Sequence, residues 1–279
     1  MTRAVFGQRF TAAVAARGRL CVGIDPHPAL LADWGLRPDV HGLERFALTC
    51  VEALAGEVAV LKPQSAFFEA YGSVGIAVLE RSIAAAQEAG ALVLLDVKRG
   101  DIGSTMTAYA QAYLADGSPL AVDAVTVSPF LGVGSLEPAF EQATRTGRGV
   151  FVLALTSNKE GESVQRALDA HGRTVAQAVV DAVAARNHGA STLGSFGVVV
   201  GATVGDSGLD LTRLNGPILA PGVGAQGAGA GDLRRVFGAS VPHVLPATSR
   251  EVLRHGPDVA GLQAAAARVC KEVSGAVAS

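Results

Sequence analysis

Cysteine is scarce in this chain: three in 279 residues, at positions 21, 50 and 270. Their number is odd and their spacing wide, which excludes a disulfide framework and the close pairs that hold zinc. They read as buried apolar thiols of a reducing compartment. The six histidines are scattered, with no HExxH pair among them. Charge is thin, at 17% of residues, and nearly balanced, at a net −2. That gives no support for a broad nucleic-acid-binding face, although a local basic pocket for a small anion stays open. No uninterrupted apolar run approaches the ~18 residues that a membrane span needs. Arginines at positions 3, 9, 17 and 19 break the apolar core that a signal peptide requires. The expectation is a soluble, cytoplasmic protein with neither membrane nor nucleic acid as partner. Familiar nucleotide motifs are missing too. "GIDPHP" stands where a doubly wound sheet would carry GxGxxG, and no GKS or GKT follows the later glycine-rich stretch.

What is present is an alternation. The chain is 49% hydrophobic and long enough to bury a substantial core. Eight short apolar segments, rich in Val, Leu and Ile, fall at 19–24, 57–62, 91–98, 124–127, 149–155, 197–201, 217–221 and 243–247. They have the composition of strands buried on both faces. Between them lie Ala-rich stretches such as "GLERFALTCVEALAG" and "GSVGIAVLERSIAAAQEAG". Their apolar residues recur three and four apart and a glycine closes each, which predicts helices. "SVQRALDAHGRTVAQAVVDAVAARNHG" predicts another, with Gly172 as its candidate break. Eight strands alternating with helices argue for a parallel sheet, and at this length for a closed (β/α)₈ TIM barrel. A doubly wound open sheet is the alternative. No Pro/Ser-rich linker divides the chain, so residues 1–279 read as one domain. A helix precedes the first strand, which starts near residue 19.

Active sites of such barrels lie at the C-terminal ends of the strands. Strand 1 ends in Asp25, strand 2 in Lys62, and strand 3 in Asp96 and Lys98, with Asp101 just beyond. Asp96 and Lys98 are two apart and share a face of an ideal strand. If that face looks into the mouth, both lie beside Lys62. Charges gathered there are costly unless paired or used. Strand 5 leads to Thr156, Ser157 and Asn158, and strand 8 to Thr248, Ser249 and Arg250. Strand 7 leads to "PGVGAQGAGAGD". Glycines there let backbone N–H groups approach an anion, the turns after strands 7 and 8 are the usual phosphate site of this fold, and Arg250 can supply a bidentate cation.

These residues carry a family resemblance. "DVKRGDIGST" resembles the D-x-K-x-x-D signature of orotidine 5′-monophosphate decarboxylases. "VGIDPHP", "LKPQSAFFE", "LALTSN", "APGVGAQG" and "LPATSRE" stand around it in the family's order, from about Arg19 to Arg250. The pattern is similar to the longer bacterial branch. The resemblance implies decarboxylation of orotidine 5′-phosphate to uridine 5′-phosphate, the last step of de novo pyrimidine synthesis. It implies no metal, no organic cofactor and a homodimer. Lys62, Asp96, Lys98 and Asp101 would be the family's charged array, with Lys98 as proton donor to C6 of the pyrimidine. Asp101, with Ile102 and Thr105 after it, would enter the partner subunit's site. Asp25 would hydrogen-bond the ribose and Ser157 would face the pyrimidine, with Thr156 and Asn158 as alternatives. Gln226 and Arg250 would hold the phosphate, and Pro221 and Ser249 complete the substrate-binding set. A sister group of phosphosugar decarboxylases and aldol-type synthases shares DxKxxD but binds Mg²⁺ beside an acidic residue at the end of strand 2. Here Lys62 stands there and would repel the ion.

Overall fold

The computed structural model describes residues 3–224 and 227–278. Its eight strands close in sequence order into a parallel barrel. They are β1 (Cys21–Ile24), β2 (Val60–Pro63), β3 (Leu92–Arg99), β4 (Ala124–Val127), β5 (Gly149–Leu155), β6 (Phe196–Val200), β7 (Ile218–Pro221) and β8 (Val244–Thr248). Each of the eight apolar segments is thus a strand, within a few residues at either end. The seam is short: β1 meets β8 at Cys21–Ala247 and Val22–Thr248.

Two apolar layers hold the barrel. The outer one lies between strands and helices. The inner one joins Cys21, Val60, Leu92, Leu94, Ala124, Phe151, Leu219, Leu245 and Ala247 with Phe6 and Phe10. Both phenylalanines come from the helix Phe6–Arg17, which closes the barrel floor. The Phe6 ring meets Phe151 edge-on at 5.9 Å. Arg9 of the same helix pairs with Asp123 and donates to Gly147 O at 2.9 Å.

Side chains alternate across a strand, so the inner layer fixes what stands above it. Cys21 is followed inward by Gly23 and Asp25, Val60 by Lys62 and Gln64, Leu92 and Leu94 by Asp96. Ala124 is followed by Thr126, Leu219 by Pro221, and Ala247 by Ser249. The barrel interior is therefore apolar at its floor and polar at its mouth.

One helix departs from expectation. The stretch from Ser163 is helical only over Glu162–Gln165 and again over Val175–Asn187. The gap is wider than a break at Gly172. The Asp169 carboxylate accepts the N–H groups of His171 and Arg173 at 2.8 and 3.0 Å, a local turn that competes with helix. Arg166 is drawn away to Asp206 O at 3.0 Å.

Candidate active site

Asp96 is the hub of the mouth. Lys62 Nζ donates to its Oδ2 at 3.1 Å and Gln64 Nε2 to the same oxygen at 3.0 Å. Lys98 Nζ reaches Oδ1 at 2.5 Å and Thr126 Oγ1 donates to it at 2.8 Å. Four donors, two per oxygen, fill the lone pairs of a carboxylate. Burial by itself disfavours the charge on Asp96, but Lys62 and Lys98 outweigh it and hold the carboxyl well below its usual range. Burial likewise opposes the charge on Lys62, and Asp96 and Asp25 outweigh that, holding its ammonium above the ordinary lysine range. Cys21, under this cluster, is pushed up to about 12 by burial and stays a thiol.

Lys98 reaches Asp96 by an irregular path. The β3–β4 register jumps between Leu95 and Arg99, and Lys98 has φ 49°. The simple alternation expected of Asp96 and Lys98 is interrupted there, yet their side chains meet. Arg99 anchors the far side of the bend. It pairs with Glu69 at 2.7 Å, and Ser65 donates to the same Glu69 oxygen at 2.5 Å.

A cavity of about 350 Å³ opens beside Asp96 and Lys62 and runs to Asp25, Pro221, Ser249 and Arg250. Its volume lies within the range of small-molecule sites. Asp25 Oδ1 is buried and has no hydrogen-bond partner among the described residues. Arg250 is exposed at the opposite end, with no ion-pair partner among them. Gly222 and Gly224 have φ 101° and 79°, the left-handed region in which glycine is at ease. The loop closes on itself through Gly224 N to Ala228 O at 3.0 Å. Gln226 lies outside the described residues.

Lys98, Asp101, Ile102, Thr105 and Ser157 are not among the residues that line this cavity; Lys98 adjoins it through Asp96. Asp101 Oδ1 accepts the N–H of Ile102 at 2.8 Å. Ile102 is 62% exposed, and so are Phe130 and Leu131, at 78% and 51%, beyond the neighbouring strand. Ser157 is exposed and sits against Gly201. Thr156 and Asn158 bond each other at 2.6 Å. Three lining or supporting residues were not singled out in the sequence: His27, Gln64 and Thr126. Gln64 was within reach as the next inward position after Lys62; the one signal for Thr126 is that it is the lone polar residue of "AVTV".

Among the described residues no group of three His, Cys, Asp or Glu is placed to hold a metal ion. A larger cavity of about 450 Å³ lies at the other end of β6, beside Asn187 and Arg213. The Asn187 amide there is spent on Phe196 O and Leu214 O, and no charged array converges on it.

Residues 18–265 match the orotidine 5′-phosphate decarboxylase / HUMPS family. The chain belongs to that family. A Salinispora arenicola relative named orotidine 5′-phosphate decarboxylase is 66% identical over 272 residues, 98% of each chain. A Streptomyces coelicolor relative of the same name is 59% identical, again over 98% of each. The fold agrees with a Streptomyces avermitilis crystal structure described as a candidate orotidine 5′-phosphate decarboxylase. The TM-score is 0.97 and the identity 60%, covering all of this chain and 98% of that one. The matched span, residues 18–265, includes the charged hub, the residues that line the cavity and Arg250.

Proposed function

We propose that this chain decarboxylates orotidine 5′-phosphate to uridine 5′-phosphate and CO₂, the closing step of pyrimidine synthesis, without metal or organic cofactor. The observation that carries the reading is Asp96 held between two lysines beside a cavity that Arg250, without an ion-pair partner among the described residues, also lines.

The phosphate binds at Arg250 with the glycine-rich loop, Gln226 and Ser249. Asp25 takes a ribose hydroxyl, which its unpartnered Oδ1 supports. Pro221 borders the pyrimidine. The bond from C6 to the carboxylate breaks, CO₂ leaves, and the electron pair stays on C6. The Lys98 ammonium stabilises that charge and then gives C6 a proton. Lys98 keeps 43% of its side chain exposed, so solvent can return the proton. Four donors around Asp96 support a role in orienting Lys62 and Lys98. Binding energy at the remote phosphate helps assemble this array.

The active form in this reading is a homodimer in which Asp101, Ile102 and Thr105 reach the partner's site. The exposed apolar side chains Ile102, Phe130 and Leu131 beside them support such an interface. Free cysteines at 21, 50 and 270 fit a reducing cytoplasm, and among the described residues no helix is long and apolar enough to cross a membrane.

The test is the loss of ultraviolet absorbance when orotidine 5′-phosphate is turned over in EDTA. Full activity is expected. Turnover abolished by EDTA and restored by Mg²⁺ would move the chain to the metal-dependent sister group.

A further inference from the structure

We infer that Thr126 is a positioning residue for this reaction: its hydroxyl clamps the bent end of β3 that aims Lys98 at Asp96. The inference rests on the decarboxylase reading above.

β3 and β4 pair at Leu94–Ala124 and Leu95–Val125, and the next pair is Arg99–Val127. Three residues, Asp96 to Lys98, therefore face one residue, Thr126. A ladder has no acceptors for the surplus N–H groups, and buried N–H groups need them. Thr126 Oγ1 accepts the N–H of Val97 and that of Lys98, each at 3.1 Å. A hydroxyl has two lone pairs and one proton. Amides can only donate, so they occupy the lone pairs. The proton is left for the third neighbour, Asp96 Oδ1, at 2.8 Å.

One buried oxygen thus ties the backbone of Lys98 to the carboxylate that the Lys98 amine itself reaches. Thr126 is 1% exposed and its hydroxyl is taken up by Val97, Lys98 and Asp96, so it acts through Asp96 and Lys98. The φ of 49° at Lys98 is a conformation that a lysine keeps only where its surroundings impose it. Thr126 supplies that imposition.

Valine has the shape of threonine without the hydroxyl. Thr126→Val strands both amides and releases one site on Asp96. Arg250 and Asp25 lie on other strand ends and should keep their grip. A misplacement of about 1 Å in a reacting group costs up to about a hundredfold in rate. The expected result for T126V is a kcat lower by at least roughly thirtyfold, with KM and the Kd for uridine 5′-phosphate within roughly threefold of wild type. T126S, which keeps the hydroxyl, should hold kcat within about threefold of wild type.

A folded T126V with kcat within about threefold of wild type overturns the inference. So does a T126S that loses as much as T126V, because then keeping the hydroxyl does not preserve the rate. If T126V does not fold, T126S against T126A gives the same comparison, since those two differ by the hydroxyl alone. Amide hydrogen exchange at Val97 and Lys98 separates this inference from the reading beneath it. Slow exchange in wild type and fast exchange in T126V are expected. Fast exchange in the wild type removes the clamp whatever the activity. A folded wild type inert toward orotidine 5′-phosphate strikes the decarboxylase reading instead.

Discussion

Lys62 Nζ and Asp96 Oδ2 lie 3.1 Å apart, with 8% and 9% of their side-chain surfaces exposed. Removing one member of such a pair leaves the other buried and short of a partner, at a cost of roughly 3–5 kcal/mol. Lys98 still reaches Asp96, so Lys62→Met should destabilise by about 3 kcal/mol, the low end of that range. Calorimetry would read this as a thermal midpoint lower by several °C. An unchanged midpoint would mean that Gln64, Thr126 and Lys98 hold Asp96 without help.

Acid should unfold the protein partly through Asp96. Its folded pKa lies below the unfolded value of about 3.9, so the native state binds fewer protons. The stability it contributes is complete above about pH 5 and is lost as pH falls toward and through the folded value. Lys62 has the opposite sign. Its folded value lies above about 10.4, so its contribution is complete below that pH and is lost as pH rises through the folded value. The midpoint of the wild type should therefore drop more steeply between pH 5 and pH 3 than that of Asp96→Asn (approximate window from the ordinary carboxylate range). Parallel curves would show that other carboxylates govern the acid transition.

Lys98 pairs with Asp96, whereas Arg250 lines the cavity at the end of β8, so their loss should look different. Lys98→Ala should lower kcat by about a thousandfold or more, at the strong end of proton-transfer catalysis, while uridine 5′-phosphate still binds. Arg250→Ala should raise KM by roughly ten- to a hundredfold, the loss of a charged hydrogen bond worth about 1.5–3 kcal/mol. A Lys98→Ala protein with near-normal kcat would refute the proton-donor role.

Asp101 offers a test of subunit sharing. Lys98→Ala and Asp101→Ala proteins should each be nearly inactive alone. In a mixed dimer one site collects both lesions and the other neither, as two-fold symmetry requires. Random re-association of equal amounts should restore about a quarter of wild-type activity. The subunits must exchange, by refolding together or by co-expression. Mixed dimers as inactive as their parents would place Asp101 in its own chain's site.

Gly23 lies under the substrate end of the cavity. A Cβ there would fall 2.1 Å from Ser249 Oγ and 3.1 Å from Asp25 Oδ1. Gly23→Ala should push both aside and raise KM by about tenfold, with a smaller change in kcat. Steady-state kinetics decide it; an unaltered KM would mean that neither side chain positions the substrate.

The barrel and most of the hub were legible because both follow from one periodicity. Apolar runs mark the strands, and the inward series Leu92, Leu94, Asp96 leads from floor to mouth by counting in twos. Lys62 and Asp25 follow the same count. Thr126 was harder to find, because one hydroxyl in a four-residue strand is also what an ordinary β-branched position looks like. The bend at Lys98 was hidden altogether, since lysine gives no hint of a left-handed backbone. Asp169 broke a helix that its apolar spacing favoured, through a local turn that takes the N–H groups of His171 and Arg173. Ser157 could be placed after β5, but which side chain of its loop turns toward the cavity depends on packing that spacing does not encode.

The two-pair seam between β1 and β8 has a consequence for the chain as it is made. By residue 127 the hub around Asp96 has all its members. Ser249, which packs over Gly23, is among the last parts of the site to emerge from the ribosome. At about 5–20 residues per second, the intervening stretch takes seconds to synthesise. Throughout that interval the edge of β1 has no partner from β8, and an unpaired apolar edge is open to association with other chains. The nascent protein is thus at its most vulnerable after its charged cluster can form and before β8 and Arg250 exist.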